Sequence, residues 1–150
     1  MTEQQTVGQI IRLAIQRERY AYSFLMAMCD CVKSPGIKYM FRDLAKEELK
    51  HKDKLELELM KIGEVIRPQD SQAETENPYY IESDECATMD YADLLKLCIE
   101  KEDISFRFYV NLTAQVNQEH SKDVLLALAE QELRHKLRFE DELEKLPRPN

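Results

Sequence analysis

The stretch Glu48-Leu49-Lys50-His51 decides the fold, because it recurs as Glu132-Leu133-Arg134-His135, 84 positions further along (132 − 48). Each copy also follows an isolated glutamate, Glu18 or Glu102, by the same 30 positions. Self-similarity at a fixed offset is typical of a repeated structural unit. The sequence therefore predicts two copies of one helical hairpin, which together make four helices.

Apolar residues around each tetrad recur in steps of three and four, which is the spacing of one face of an α-helix. In the first copy this face reads Ile37, Phe41, Leu44, Glu48, His51, Leu55, Leu59 and Ile62. In the second copy it reads Leu125, Leu128, Glu132, His135, Phe139 and Leu143. Glu18 lies between Ala14 and Ala21 in the same way, and Glu102 follows Leu95 and Cys98. The glutamates and histidines thus occupy core positions.

Polar side chains in the middle of a bundle need a compensating partner, because an unpaired buried carboxylate costs several kcal/mol. Four glutamates carry a charge of −4, which two divalent cations would neutralise. One glutamate from each of two helices plus a Glu-x-x-His from each of the other two is the ligand inventory of ferritin-like di-iron and di-manganese proteins. The predicted metal ligands are Glu18, Glu48, His51, Glu102, Glu132 and His135.

The sequence resembles the rubrerythrin-related branch of the ferritin-like superfamily over roughly residues 8–145. The resemblance rests on Ala14-Ile15-x-x-Glu18-x-x-Ala21-x-x-Phe24, on Ile99-x-x-Glu102 with Phe108-Tyr109, and on the two Glu-x-x-His elements. It implies a ferritin-like four-helix bundle of two duplicated hairpins with a long crossover, holding two iron ions. We expect Glu48 and Glu132 to bridge the irons, Glu18 and Glu102 to be terminal ligands, and His51 and His135 each to hold one iron.

The resemblance implies a protein that reduces hydrogen peroxide or dioxygen with electrons from an external donor, as in defence against oxidative stress. Ser105 departs from this pattern, because rubrerythrin-type peroxidases usually carry an extra glutamate three positions after the ligand Glu102. The sequence also lacks the paired Cys-x-x-Cys motifs of a rubredoxin domain. We therefore expect the electron donor to be a separate protein.

Two other functions stay open at the level of sequence. One is a ferroxidase or iron-handling protein, for which ferrous iron is itself the substrate. The other is a non-catalytic bundle for metal binding or sensing. The same ligands accept neighbouring metals of the Irving–Williams series, so manganese and zinc are alternative occupants.

Composition agrees with one ferritin-like domain over residues 1–150. Only three glycines and five prolines leave little room for an all-β fold with many turns. We expect helices at about 6–32, 37–62, 90–116 and 119–146, with a crossover at about 64–89 that contains one short helical turn.

Net charge and hydropathy limit the partners and the location. A net charge of −8 argues against nucleic acid, because phosphate binding depends on clustered Lys and Arg. The start Met1-Thr2-Glu3-Gln4-Gln5 lacks the features of a secretory signal, and no apolar run is long enough to span a membrane. We expect a cytoplasmic protein without a membrane partner and, by analogy with related bundles, a homodimer.

Several other residues have packing as their favoured role. Tyr22, one turn after Glu18, is also a candidate hydrogen-bond donor to a ligand carboxylate, whereas Phe108 and Tyr109 are expected in the core. His120 has no counterpart in the first copy and is interpreted as a surface residue near a helix start. The cysteines follow no Cys-x-x-Cys spacing, so we expect reduced thiols at Cys29, Cys31, Cys86 and Cys98.

Overall fold

Four long α-helices form the described part of the chain, which in this computed structural model comprises residues 5–67, 77–82 and 85–147. The helices are α1 (Val7–Cys31), α2 (Pro35–Lys61), α3 (Tyr91–Ala114) and α4 (Glu119–Glu144), and no strand occurs within these residues. α1 packs along α2 and α3 along α4, and the two hairpins associate into a bundle. The predicted all-α, ferritin-like four-helix bundle of two hairpins is confirmed.

The helix ends follow from local sequence. Thr6 and Gln9 form a capping box on α1: Thr6 Oγ1 accepts the Gln9 amide at 3.1 Å, and Gln9 Oε1 accepts the Thr6 amide at 2.8 Å. Asp90 caps α3 by accepting the amide of Asp93 at 2.8 Å. Gly63 adopts a φ of +87° just after α2, a conformation that glycine reaches without steric cost.

The connection between the hairpins contains one 3-10 turn, Cys86–Thr88, in its described part. This agrees with the short helical turn expected within the crossover. Residues 68–76 and 83–84 of the predicted crossover lie outside the described residues, as do residues 1–4 and 148–150. Over the described residues, we find no helix with the length and apolar character needed to cross a membrane.

The apolar core consists of two clusters, one at each end of the bundle. At the end where α1 finishes and α2 begins, the buried residues include Phe24, Leu25, Phe41, Leu95 and Phe139. At the opposite end they include Ile11, Leu55, Leu59, Leu125 and Leu128. The predicted ligands fall between these two clusters along every helix. A polar layer therefore lies in the middle of the bundle, between two apolar layers.

A disulfide joins Cys31, at the end of α1, to Cys86 in the 3-10 turn, with Cα atoms 6.0 Å apart. Cys29 and Cys98 are free and buried. The expectation of four reduced thiols is therefore wrong for Cys31 and Cys86. The Cys-x-x-Cys rule concerns neighbouring cysteines, whereas these two are 55 positions apart and meet because the crossover returns to the end of α1.

Candidate metal centre

The six predicted ligands lie together in the middle of the bundle, and each is at most 4% exposed. They fall into two groups, within each of which one atom per residue lies within 4.8 Å of the others. The first group is Glu18, Glu48, His51 and Glu132, and the second is Glu48, Glu102, Glu132 and His135. Glu48 and Glu132 belong to both groups, which is the placement that bridging carboxylates of a dinuclear centre require.

Both imidazoles direct their Nδ1 atoms at the carboxylates. His51 Nδ1 lies 3.6 Å from Glu18 Oε2 and 3.6 Å from Glu132 Oε1. His135 Nδ1 lies 2.9 Å from Glu48 Oε1, and the two rings stack with centroids 5.9 Å apart. The i, i+3 spacing of each Glu-x-x-His places its two side chains on one helix face, which explains how two helices supply four of the six groups.

Polar atoms without hydrogen bonds are concentrated in this cluster. Of the twelve such buried side-chain atoms within the described residues, eight belong to the cluster: Glu18 Oε2, both carboxylate oxygens of Glu48 and of Glu132, Glu102 Oε2, and the Nδ1 atoms of His51 and His135. Even the 2.9 Å approach of His135 Nδ1 to Glu48 Oε1 is not aligned as a hydrogen bond. Because buried polar atoms are nearly always hydrogen-bonded, such atoms converging on shared points fit metal ligands. Oxygen and imidazole donors suit iron, manganese or zinc.

Burial and mutual repulsion hold protons on two of the carboxyl groups when no ion is present. Burial, followed by the charge of Glu48, raises the pKa of Glu18 well above its usual value. Burial, followed by the charge of Glu132, does the same to the pKa of Glu102. Burial opposes ionisation of Glu48, but the neighbouring Glu18 carboxyl group and the two imidazoles stabilise its negative charge by more, so its pKa is lowered well below the usual value.

The imidazoles behave in the opposite way to an ordinary buried histidine. Burial alone would lower the pKa of His51, but the surrounding carboxylates, Glu132 first, raise it to about 12. The pKa of His135 rises to about 10 for the same reason, with Glu47 as the largest contributor. Protons therefore neutralise part of the cluster, and a metal has to displace them in order to bind.

Tyr109 contacts the cluster in a way that the sequence did not reveal. Its buried hydroxyl donates to Glu18 Oε1 at 2.5 Å, across the two hairpins. Tyr109 packs in the core as predicted, but it also holds a predicted ligand, a role that we considered for Tyr22. Tyr22 instead is half-buried against the apolar cluster. The available signal was the spacing, because Tyr109 follows Glu102 by seven positions, two helical turns on the same face.

Glu47 is a second contact that sequence reasoning missed. Its Oε2 lies 2.5 Å from His135 Nε2, on the side of the ring that faces away from the cluster. The hydrogen bond to His135 lowers the pKa of Glu47. In the sequence, nothing distinguishes Glu47 from the other acids of α2 except that it precedes Glu48.

The crossover supplies a third neighbour, Tyr79, which is 3% exposed. Its hydroxyl has no hydrogen bond of good geometry within the described chain. Burial, followed by the charge of Glu102, raises its pKa well above the usual value, while Ser105 acts to lower it. The ring packs on Phe24 at 5.5 Å, and Lys101 Nζ donates to Pro78 O at 2.6 Å, which fixes this segment beside α3.

His120 lies near the start of α4 with 64% of its side chain exposed, in agreement with its interpretation as a surface residue. It nevertheless bonds to the buried Glu58, with Nδ1 2.6 Å from Oε2. Ser121 Oγ donates to the same carboxylate at 3.2 Å. Glu58 thus supplies an acceptor at a helix start where Gln118 makes no side-chain cap.

Fold and cluster together define a ferritin-like protein with a carboxylate and histidine centre that is able to hold metal. The rubrerythrin family model matches residues 9–145, and the chain belongs to the rubrerythrin family.

Solved structures that share the fold include two hypothetical proteins. One is a hypothetical protein from Pyrococcus furiosus, with 23% identity, a TM-score of 0.69, and coverage of 93% of this chain and 89% of that one. The other is a conserved hypothetical protein from Mycobacterium tuberculosis, with 12% identity, a TM-score of 0.66, and coverage of 97% and 98%. No curated protein matches the sequence.

Proposed function

We propose that this protein is a non-haem di-iron protein that reduces hydrogen peroxide or dioxygen with electrons from an external donor. The observation that supports this most directly is the pair of ligand groups that share Glu48 and Glu132. Four carboxylates offer a charge of −4, and two ferrous ions bring +4, so the loaded centre would be neutral in a dry interior.

Bound ferrous iron would supply two electrons, one from each ion. Hydrogen peroxide accepts two electrons and two protons, its O–O bond breaks, and two waters form. Within the chain, the Tyr109 hydroxyl orients Glu18 by donating to Oε1. The apolar clusters on both sides of the polar layer exclude bulk water from the reacting groups.

The electrons have to come from a partner, and we propose a separate donor protein because the sequence has no pair of Cys-x-x-Cys motifs. We also propose, by analogy with related bundles, a homodimer and a cytoplasmic location. Sedimentation of the purified protein would measure the oligomeric state directly.

A second candidate function is iron handling, with ferrous iron as the substrate that is oxidised and passed on. One observation favours it: Ser105, 2% exposed, occupies the position where peroxidase-type relatives usually carry a further glutamate. The centre would then lack the carboxylate that distinguishes the peroxidase pattern.

Anaerobic loading with two equivalents of ferrous iron, followed by peroxide or oxygen, separates these functions. We expect two iron ions to bind per chain, and one of the two oxidants to oxidise them faster than the other does. Each added pair of electrons should then reduce one oxidised di-iron centre again. Repeated oxidation of added ferrous iron without any reductant would instead favour iron handling.

The iron-loading experiment needs a variant that lacks the two proposed bridging glutamates. It also needs a control variant with the same change in net charge. Glu48→Ala with Glu132→Ala should abolish binding of both ions. The matched control is Glu130→Ala with Glu140→Ala, which removes two acids of α4 whose side chains are 62% and 44% exposed. Iron that binds but reacts with neither oxidant would contradict both candidate functions and leave a metal-binding or sensing bundle.

A further inference from the structure

The two histidines of the cluster have different surroundings on their outer sides. His135 Nε2 lies 2.5 Å from Glu47 Oε2, while Nδ1 of the same ring faces Glu48 and Glu102. A neutral imidazole carries one proton, and a carboxylate on Nε2 keeps that proton there. When a metal ion displaces the second proton of His135, the proton on Nε2 is therefore the one retained, and the Nδ1 lone pair faces the ion.

Within the described part of the chain, His51 has no such partner. The repeat offset of 84 positions places Gln131 where Glu47 would have to recur. His51 Nδ1 faces Glu18, Glu48 and Glu132, and among the described residues no hydrogen bond reaches its Nε2. The amide oxygen of a glutamine at position 131 can accept a hydrogen bond but brings no charge. The two copies of the repeat therefore supply the same predicted ligands but different neighbours around those ligands.

We propose that Glu47 is a positioning residue that makes the two metal positions unequal, so that the position held by His135 binds a divalent ion more tightly than the position held by His51. This inference rests on the proposed dinuclear centre. A carboxylate on the outer nitrogen fixes the ring orientation and raises the basicity of the inner nitrogen, and loss of such a partner typically weakens metal binding by about 10–100-fold.

A contribution of Glu47 to protein stability alone explains its contact with His135 less well than a contribution to metal binding does. The Glu47 side chain is 37% exposed, so its removal opens no cavity in the core. The exposure also means that the Glu47–His135 pair adds little to the stability of the protein by itself. Its position on the ring nitrogen opposite the cluster matters mainly for what the other nitrogen can bind.

Calorimetric titration of the metal-free protein with zinc tests the proposal. Wild type should bind two ions in two steps that differ by at least about tenfold. Glu47→Gln should weaken the tighter step by about 10–100-fold, and Gln131→Glu should tighten the weaker one. The double exchange Glu47→Gln with Gln131→Glu should reverse which histidine is engaged first, as read from the imidazole NMR signals at one equivalent of zinc.

Glu130→Gln is the matched control, because it neutralises an exposed acid of α4 beside Gln131 whose only ion pair within the described residues is with Arg134. It should leave both steps unchanged, and circular dichroism should show that every variant stays helical. Equal affinities for both steps in wild type, or an equal loss in both steps for Glu47→Gln, would overturn the proposal. If wild type binds no zinc and no iron at all, the proposed function fails as well, which distinguishes the two failures.

Discussion

The hydroxyl of Tyr109 links the Glu18 carboxylate to the opposite hairpin, whereas the buried hydroxyl of Tyr79 makes no hydrogen bond of good geometry within the described chain. We expect Tyr109→Phe to lower the free energy of unfolding of the metal-free protein by about 1–3 kcal/mol, because a buried carboxyl group loses its partner. Tyr79→Phe is the matched control and should change stability little. Urea unfolding measures both, and equal effects would contradict the assigned hydrogen bond.

The pKa shifts predict how the stability of the metal-free protein changes with pH. Glu18 and Glu102 have raised pKa values in the folded state, so above about pH 4.5 the folded protein binds more protons than the unfolded chain. Its stability therefore falls as the pH rises. His51 and His135 act in the same direction: their contribution is complete below pH 6.5 and is lost as the pH approaches about 10 for His135 and about 12 for His51.

Urea unfolding of the metal-free protein at pH 6, 8 and 9.5 should thus show a steady decrease in stability. Glu102→Gln removes one of the titrating groups and should make the decrease shallower. A stability that rises over this range would show that the carboxyl groups do not retain their protons in the folded state.

At the level of single residues, the sequence predicted which side chains form the cluster but not which neighbouring residues form hydrogen bonds to them. The six clustered side chains could be found because both copies of the repeat place them at core positions in the same register. Glu47 and Tyr109 carried no comparable signal, since their partners come from the other hairpin and the relative rotation of two hairpins cannot be read from periodicity. Tyr79 lies in the crossover, where no periodicity exists.

Among the elements, the start of α4 depends on a residue from α2. Glu58 accepts from His120 and Ser121 at this helix start, so Glu58→Ala should lower the free energy of unfolding by about 1–3 kcal/mol. Glu130→Ala removes an exposed acid of α4 and should cost less than about 0.5 kcal/mol. Thermal and urea unfolding would compare the two, and similar losses would mean that Glu58 is only one more surface charge.

The crossover is fastened to α1 by the disulfide between Cys31 and Cys86. Closing a loop of this length restricts the unfolded chain, and such a bond contributes about 2–4 kcal/mol. Cys86→Ser should reduce the stability by this amount in non-reducing buffer, and a reductant should abolish the difference from wild type. A difference that persists in full reductant would assign the effect to packing of Cys86.

Helix ends were predicted better than connections, for a physical reason. The caps Thr6 and Asp90 and the stop at Gly63 act through neighbouring atoms, so the predicted boundaries lie within about two residues of the observed ones. The pairing of Cys31 with Cys86 depends on where a long connection travels, which no local rule describes.

For the molecule as a whole, each ligand group draws on both hairpins, so bound metal would join two units that otherwise pack mainly within themselves. Zinc at about 100 times its dissociation constant should add about 2.7 kcal/mol for each occupied position. We expect a rise in Tm of roughly 5 °C or more, measured by scanning calorimetry. Glu48→Ala with Glu132→Ala should show no rise, and an equal rise in that variant would place the ion elsewhere.

The unpartnered atoms of Glu48 and Glu132 have a consequence for the lifetime of the protein in a cell. Without bound metal, the folded protein would unfold more often, and proteases that cleave the unfolded form would degrade it. Supplied with metal, the same chain would persist. Its abundance would then follow the supply of the ion without any dedicated regulator.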